Sequence, residues 1–380
     1  MNDVTNQPAE PALGAAVIGT GWGCLTHVPA LRAAGFDVRT LVGTNAERTR
    51  RRAELSEVPG HTTDLAEALA DPRIDAVIVA TPPQAHVDVV LAAVAADKHV
   101  LCEKPFATSL EDAVRMREAA RNKGVVHVVG HEFRWQPHMA ATAQTIRSGA
   151  IGTPTLLTHV RINGILAGRT ATAPDWFQSS GNFGGWPNAE LQHVIDEIRM
   201  NLGELAWVTA LEGQVTEHGW DAAESFLVQF TTASGAMGVV QSSVGAFGPM
   251  VNTQRVSGTG GSVWTTAEGA VMLHDGSTER VVEPPAELID DPSLWPVADR
   301  SASLAAENSL STALSGATRF LRPTQLLHEA FRDRIQGKDR SAWPPLPTFD
   351  DGVANTAAHM AVRRSIETGL PQQVPSQVAG

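Results

Sequence analysis

The chain has 380 residues, 43% of them apolar, too many and too hydrophobic for a single small module or a disordered chain, so one or two packed domains are expected. Twenty-nine Lys and Arg stand against 41 Asp and Glu; the net charge of −12 argues against nucleic acid or an anionic membrane as main partner, because a phosphate surface is held by clustered cations. Two cysteines, Cys24 and Cys102, exclude a disulfide framework and a Cys-rich zinc site and favour a reduced, cytoplasmic setting, while the absence of tyrosine excludes chemistry that needs a phenol as proton donor.

Residues 1–12 carry two acids, two prolines and no apolar h-region, and read as a polar tail without a signal peptide. No apolar run approaches the ~20 residues of a membrane span. From 13 to 132, short β-branched runs alternate with helical patterns: ALGAAVIG, VRTLVG, DAVIVAT, HVLCEK and VVHVVGHE are each followed or separated by amphipathic stretches. That alternation predicts a doubly wound parallel sheet, a Rossmann-type α/β domain. Over 133–380 the rhythm changes to TLLTHVRIN, AWVTALEGQVT, ESFLVQFTT, AMGVVQSSV and GSVWTTAEGAVML, with one strong helix near 188–203. Consecutive strands without helices between them predict an α+β domain with a mostly antiparallel open sheet. Residues 284–322 read as irregular, and two helices close the chain, the last capped by Gly369.

The first strand runs into Gly19-Thr20-Gly21-Trp22-Gly23-Cys24 ahead of a helix. Gly19 permits a tight bend, Gly21 lets backbone approach a pyrophosphate, and the helix N-terminus offers free amides to the anion; the other reading is a structural turn only. At the end of the second strand, where an acid would hold the ribose of NAD, stand Gly43, Thr44, Asn45 and then Arg48, on a helix that also carries Arg50, Arg51 and Arg52. That composition favours NADP over NAD, although a solvated basic helix face accounts for most of those arginines.

Three further segments follow in order: Ala80-Thr81-Pro82-Pro83 with His86, Glu103-Lys104-Pro105-Phe106, and GHEFRWQP at 130–137 leading to Gly149-Ala150-Ile151-Gly152. With the glycine turn, GNFGGWPNAELQHVID and the terminal RRSIETG, they resemble the glucose-fructose oxidoreductase/inositol dehydrogenase (Gfo/Idh/MocA) family over nearly the whole chain. The resemblance implies a cofactor site of Gly19, Gly21, Trp22, Gly23, Thr44, Asn45, Arg48, Thr81, Pro82, His86, Glu103 and Lys104. It implies catalysis by Lys104, beside the nicotinamide and the substrate carbinol, and by His193. It also implies a carbohydrate-like small-molecule substrate and a homo-oligomer, dimer or tetramer.

His193 is the expected proton acceptor, with a pKa near neutrality. Relatives commonly place an Asp four residues earlier; here that position is Ala189, and Glu190 is the expected partial substitute. Arg134, Trp186 and Asp196 are the expected substrate contacts, Arg134 alternatively holding the domain junction, and Trp176, Phe177 and Phe183 are further rings that suit a sugar face or anchor their loop. No metal is expected: Glu190-x-x-His193-x-x-Asp196, and His127 with His131, have metal-like spacing but no further partners. The expectation is an NAD(P)-dependent oxidoreductase acting on a secondary alcohol or ketone of a sugar, cyclitol or polyol. Two rival readings are a glycoside hydrolase or lyase using transient oxidation at C3, and a non-catalytic NADP-binding regulator suggested by Ala189.

Overall fold

The computed structural model describes residues 11–173, 175–289, 318–338 and 343–376; most of the expected tail and of the irregular 284–322 stretch lies outside them. Strands β1 (Gly14–Ile18), β2 (Asp37–Val42), β3 (Gly60–Thr62), β4 (Ala76–Val79), β5 (His99–Cys102) and β6 (His127–Val129) form one parallel sheet in the order β3-β2-β1-β4-β5-β6. Helices α1 (Val28–Ala33), α2 (Ala46–Leu55), α3 (Leu65–Ala70), α4 (His86–Ala95) and α5 (Leu110–Lys123) make the crossovers. Every residue of β1 and β4 is buried, because helices cover both faces. The order reverses between β1 and β4, which opens a crevice at their carboxyl ends. The sequence pattern misses β3, since its three residues, Gly-His-Thr, form a polar edge.

After α6 (Pro137–Arg147), a nine-stranded sheet holds β7 (Pro154–Ile162), β8 (Leu205–Gly213), β9 (Ser225–Thr232), β10 (Met237–Ser243), β11 (Val251–Gly258), β12 (Ser262–Thr265), β13 (Val271–His274), β14 (Glu279–Val282) and β15 (Gln372–Gln373). Its order is β14-β13-β12-β11-β7-β10-β9-β8-β15, antiparallel except for β7 against β10. The polar strand β11 lies centrally beside β7, a place its composition hides. The short α7 (Asp175–Gln178) precedes α8 (Trp186–Leu202), whose Leu191, Val194 and Ile198 share a core with Val208, Phe226, Val228 and Val240 of the sheet.

Packing crosses the expected boundary at 132/133. In α9 (Thr318–Ile335), Leu327 and Phe331 complete a core with Leu31 of α1, Phe36 ahead of β2 and Leu101 of β5. In α10 (Phe349–Thr368), Phe349 and Val353 join Phe106 and Met116 in a second core of that sheet, while Ala358 and Val362 join the core of the other. Phe331 and Phe349 are fully buried, each contributing about 2 to 3 kcal/mol of hydrophobic stabilisation. A capping box starts α10, with the Thr348 amide donating to Asp351 Oδ2 at 2.8 Å, and Gly369 ends it at φ +67°.

Candidate active site

The glycine turn leaves β1 at Gly19, whose φ is +119°; a Cβ there would come within 2.2 Å of the Ala80 carbonyl oxygen at the end of β4. A Cβ on Gly23 would meet Val17 Cγ1 at 2.7 Å, so Gly23 lets the helical turn over 23–27 lie on β1. Cys24 is buried and its thiol is pushed up to about 11 by burial, which makes it inert. Arg52 is not part of a solvated face: it is buried and donates to the Thr20 carbonyl, fixing the turn from α2. Arg50 pairs with Glu47 and Glu54. Arg48 and Thr44 are exposed, and the Asn45 side chain accepts from the Arg48 amide at 2.9 Å as the cap of α2.

At the β4 end, Thr81 Oγ1 is buried without a partner and Pro82 is exposed. The cradle at Gly19 and this orphaned hydroxyl fit the passage of a dinucleotide across the β1/β4 crevice. His86 departs from its expected role as a cofactor contact. Its ring is fully buried between the Thr81 and Phe106 carbonyls, at 2.9 and 3.2 Å, and shapes the loop from beneath.

Lys104 ends the β5 segment half-buried, and its Nζ donates to the Ala189 carbonyl at 3.1 Å. With Ala at position 189, the chain offers the lysine a backbone oxygen and no side-chain carboxylate there. Glu103 is buried; its Oε1 lies 2.9 Å from His27 Nε2 and its Oε2 accepts the Lys104 amide at 3.1 Å. Burial works to raise the Glu103 carboxyl, but the His27 hydrogen bond and charge, with Lys104, bring it below its usual value. Because Glu103 accepts, His27 Nε2 carries a proton, and His27 Nδ1 lies 3.0 Å from His328 Nε2. Glu103 therefore acts by holding Lys104.

His193 is buried on α8 and stacks on Phe133 with ring centroids 3.7 Å apart and planes 7° off parallel. Phe133 stacks in turn on Phe320 of α9 at 5.7 Å, and Phe320 meets the edge of Trp22 at 5.9 Å. One aromatic column thus joins the glycine turn to the histidine, which places Trp22 as its end member. The expected near-neutral ionisation of His193 does not hold: burial first, then the charges of Lys104, His131 and Arg161, push it well below its ordinary value. The imidazole is neutral at physiological pH, with Nδ1 buried and unpartnered.

Three expected contacts are engaged elsewhere. Glu190 does not serve His193, because it is ion-paired with Arg161 of β7. Arg134 and Asp196, expected to touch substrate, hold each other in a buried bidentate pair at 2.6 and 2.7 Å; Arg134 also donates to Asp351 at 3.0 Å and to the Pro345 carbonyl. The spacing Glu190–His193–Asp196 therefore does not converge on a metal, and His131 meets Asn355 while His127 accepts from the Phe349 amide. The indole N–H of Trp186 donates to Ser242 at 2.8 Å, leaving a half-buried ring at the start of α8. Phe177 is core, Phe183 lies under Arg363, and the side chain of Trp176 is outside the described residues. Missed by sequence reasoning are Arg161, whose guanidinium lies 5.6 Å from the Phe133 ring centroid, and Glu132, which is buried within GHEFRWQP. The visible motif could have flagged Glu132, but nothing in it reports burial.

Sheet order, glycine cradle and the lysine at the β5 edge define a dinucleotide-binding α/β protein with a second, sheet-bearing domain. Residues 13–131 match "Oxidoreductase family, NAD-binding Rossmann fold" and 139–264 match "GFO/IDH/MocA C-terminal domain". The chain belongs to the Gfo/Idh/MocA oxidoreductase family. It is 33% identical over 262 residues to inositol 2-dehydrogenase of Streptomyces avermitilis, covering 65% of this chain and 71% of that one. It is 39% identical over 142 residues to 1,5-anhydro-D-fructose reductase of Ensifer adhaerens, covering 37% and 41%. The chain spans only two fifths to one half of the length of several such relatives, 44% for levoglucosan dehydrogenase of Pseudarthrobacter phenanthrenivorans. The fold is shared with a solved levoglucosan dehydrogenase complexed with NADH and levoglucosan, at TM-score 0.79 and 23% identity over 96% of this chain and 99% of that one. No helix among the described residues is long and apolar enough to cross a membrane.

Proposed function

We propose that the protein is an NADP(H)-preferring oxidoreductase that interconverts a secondary alcohol and a ketone on a sugar, cyclitol or related polyol ring. The observation that carries this reading is the Lys104 ammonium at the carboxyl edge of the dinucleotide sheet, held by the carbonyl of Ala189, one helical turn before His193 on α8. The relatives named as sugar and inositol oxidoreductases support the substrate class. Residues 13–132 would hold the cofactor and 133–380 the substrate, with α9 and α10 tying the two together.

The bound nicotinamide supplies hydride transfer. Gly19, Gly21 and Gly23 would cradle the pyrophosphate, with Thr81 beside it. Lys104 would set its ammonium against the substrate oxygen, stabilising the alkoxide that develops there. His193, neutral and stacked beneath Phe133, would accept a hydrogen bond from a substrate hydroxyl.

NADP(H) preference rests on the exposed Thr44, Asn45 and Arg48 at a strand end without an acid. Fluorescence titration is expected to give tighter binding of NADPH than of NADH. Arg48→Ala should weaken NADPH by about 1 to 3 kcal/mol and leave NADH unchanged; equal binding of both cofactors to the unaltered protein removes the argument. With the preferred cofactor, a panel of sugars, cyclitols and their ketones should yield turnover, and none on any member would sink the dehydrogenase reading.

The outer face of the large sheet supports a homodimer. Leu156, Trp207, Leu211, Leu227, Met237 and Val239 are between 36 and 62% exposed, whereas the alternate residues on the inner face are buried. Thr209, Gln229 and Thr231 stand among them on the same face, and an exposed patch of apolar side chains of this kind is the usual mark of an association site. Light scattering after gel filtration should return a dimer mass, and Trp207→Glu with Leu227→Lys should return a monomer. A monomeric parent protein would refute the surface.

A further inference from the structure

Building on the dehydrogenase reading, we propose that His27 and His328 are positioning residues of the reaction: through Glu103 they fix where Lys104 stands, and they make α9 the common backing of Lys104 and His193. The contacts run without a break. His328 Nε2 of α9 lies 3.0 Å from His27 Nδ1, and His27 Nε2 lies 2.9 Å from Glu103 Oε1. Glu103 Oε2 accepts the Lys104 amide at 3.1 Å, and the Lys104 ammonium donates to the Ala189 carbonyl at 3.1 Å. Both imidazoles are fully buried and Glu103 is 6% exposed, so water does not compete for these bonds.

Two imidazoles in such a place are not accounted for by packing. His328 enters the core that holds Leu31, Phe36, Leu327 and Phe331, with Phe36 edge-on to its ring. An apolar side chain would fill that space at lower cost, because a buried ring nitrogen needs a partner. His328 Nε2 finds one in His27, while its Nδ1 is buried without any. Burial first, then the neighbouring His27, hold His328 well below its ordinary value, so it is a neutral ring. At 3.0 Å the two facing nitrogens share one proton, since two protons would collide and two bare lone pairs would repel. On the far side of His27 the carboxylate is confined as well: a Cβ on Gly130 would come within 2.8 Å of Glu103 Oε1, so Glu103 lies against the backbone that follows β6. Lys104 is thereby held at its amide and at its ammonium.

The same helix reaches the histidine by a second route. Phe320 stands eight residues before His328 on the buried side of α9, roughly 12 Å along its axis. It stacks on Phe133, and Phe133 stacks on His193. Lys104 and His193 come from different domains, yet both lines of contact end on α9. One rigid element therefore sets their separation, where the domain junction alone would leave it loose. Placement of this kind bears directly on rate, because a misplacement of about 1 Å can cost on the order of 10²-fold.

His27→Leu keeps much of the ring's volume but neither of its hydrogen bonds, and should lower kcat by about 10- to 100-fold with KM and NADPH affinity near the parent's. His27→Gln, whose amide nitrogen can donate to Glu103 in place of Nε2, should recover to within about threefold of the parent. His328→Leu should lower kcat in the parent protein but not when combined with His27→Leu. In a Lys104→Ala background His27→Leu should have no further effect on the residual rate, because its influence passes through the lysine. An unchanged kcat in His27→Leu, no recovery in His27→Gln, or an undiminished loss in the Lys104→Ala background overturns the proposal and leaves the dehydrogenase reading intact. Nitrogen–proton NMR correlations of the imidazoles serve if the leucine variants do not fold. The cofactor-free parent should show a slowly exchanging proton on His27 Nε2 whose resonance moves in Lys104→Ala; a rapidly exchanging or unmoved resonance overturns the proposal. A parent protein that binds cofactor yet turns over nothing overturns both readings.

Discussion

Lys104→Ala should lower turnover by about 10² to 10³ while NADPH affinity stays within error of the parent. The asymmetry follows from what Lys104 touches. Its amide is held by Glu103 and its ammonium by the Ala189 carbonyl, across the junction of the two domains and away from the glycine cradle that would take the pyrophosphate. An ammonium aimed at an oxygen that becomes negative only as hydride moves stabilises the transition state more than the ground state, so its removal falls on kcat and not on cofactor binding. Steady-state rates and fluorescence titration on one preparation separate the two quantities. Normal turnover by Lys104→Ala would show that the active site has been placed wrongly.

The largest loss of stability is expected from breaking the Arg134–Asp196 pair. Both side chains are 5% exposed, and Arg134→Ala would leave Asp196 buried with Asp351 nearby, with the Asn355 amide donating to Asp196 at 3.3 Å and Arg199 paired with Asp351. Uncompensated charges of that kind cost about 3 to 5 kcal/mol, whereas replacing both partners by apolar residues of similar volume costs far less. Denaturant unfolding should thus find Arg134→Ala much less stable than the double variant Arg134→Met/Asp196→Leu. Near-equal losses would mean that the pair is peripheral. Acid provides a second readout. Burial works to raise the Asp196 carboxyl, but Arg134 outweighs it and holds the carboxyl well below the usual carboxylate range. A group depressed in the folded state contributes stability above its unfolded pKa of about 3.9, and that contribution is lost as pH falls further. Asp196→Asn should accordingly be less stable at neutral pH and lose less than the parent on acidification below about pH 4.

Much of this architecture is legible in residue order. The glycine turn, the five stronger strands of the first sheet and the helix carrying His193 are local patterns, and the Glu-Lys-Pro element marks the end of β5. What escapes are facts about distance. Arg134 and Asp196 are 62 residues apart, and nothing near either one says that it is already occupied. Glu190 sits one residue after Ala189 and reads as its substitute, yet β7 brings Arg161 to it instead. The depressed ionisation of His193 comes from burial and from the charges of Lys104, His131 and Arg161, contributed by three separate segments. Strand β11 carries too many polar residues to announce itself: Asn252 and Gln254 stand opposite Arg161 and His159 of β7, while Val256, opposite Leu157, joins the hydrophobic core.

The return of α9 and α10 to the first sheet bears on how the chain is made. Val129 closes the last strand of that sheet, but Phe349, which seals the face beside Phe106 and Met116, is translated 220 residues later. At ordinary synthesis rates of roughly 5 to 20 residues per second, the interval is about 10 to 45 s. Throughout it the emerging Rossmann half lacks Leu327 and Phe331 on one side and Phe349 and Val353 on the other. A ribosome-bound chain stalled before residue 318 should therefore display two uncovered apolar faces, and chaperone occupancy is expected to peak in that window and to end when the C-terminal helices leave the exit tunnel.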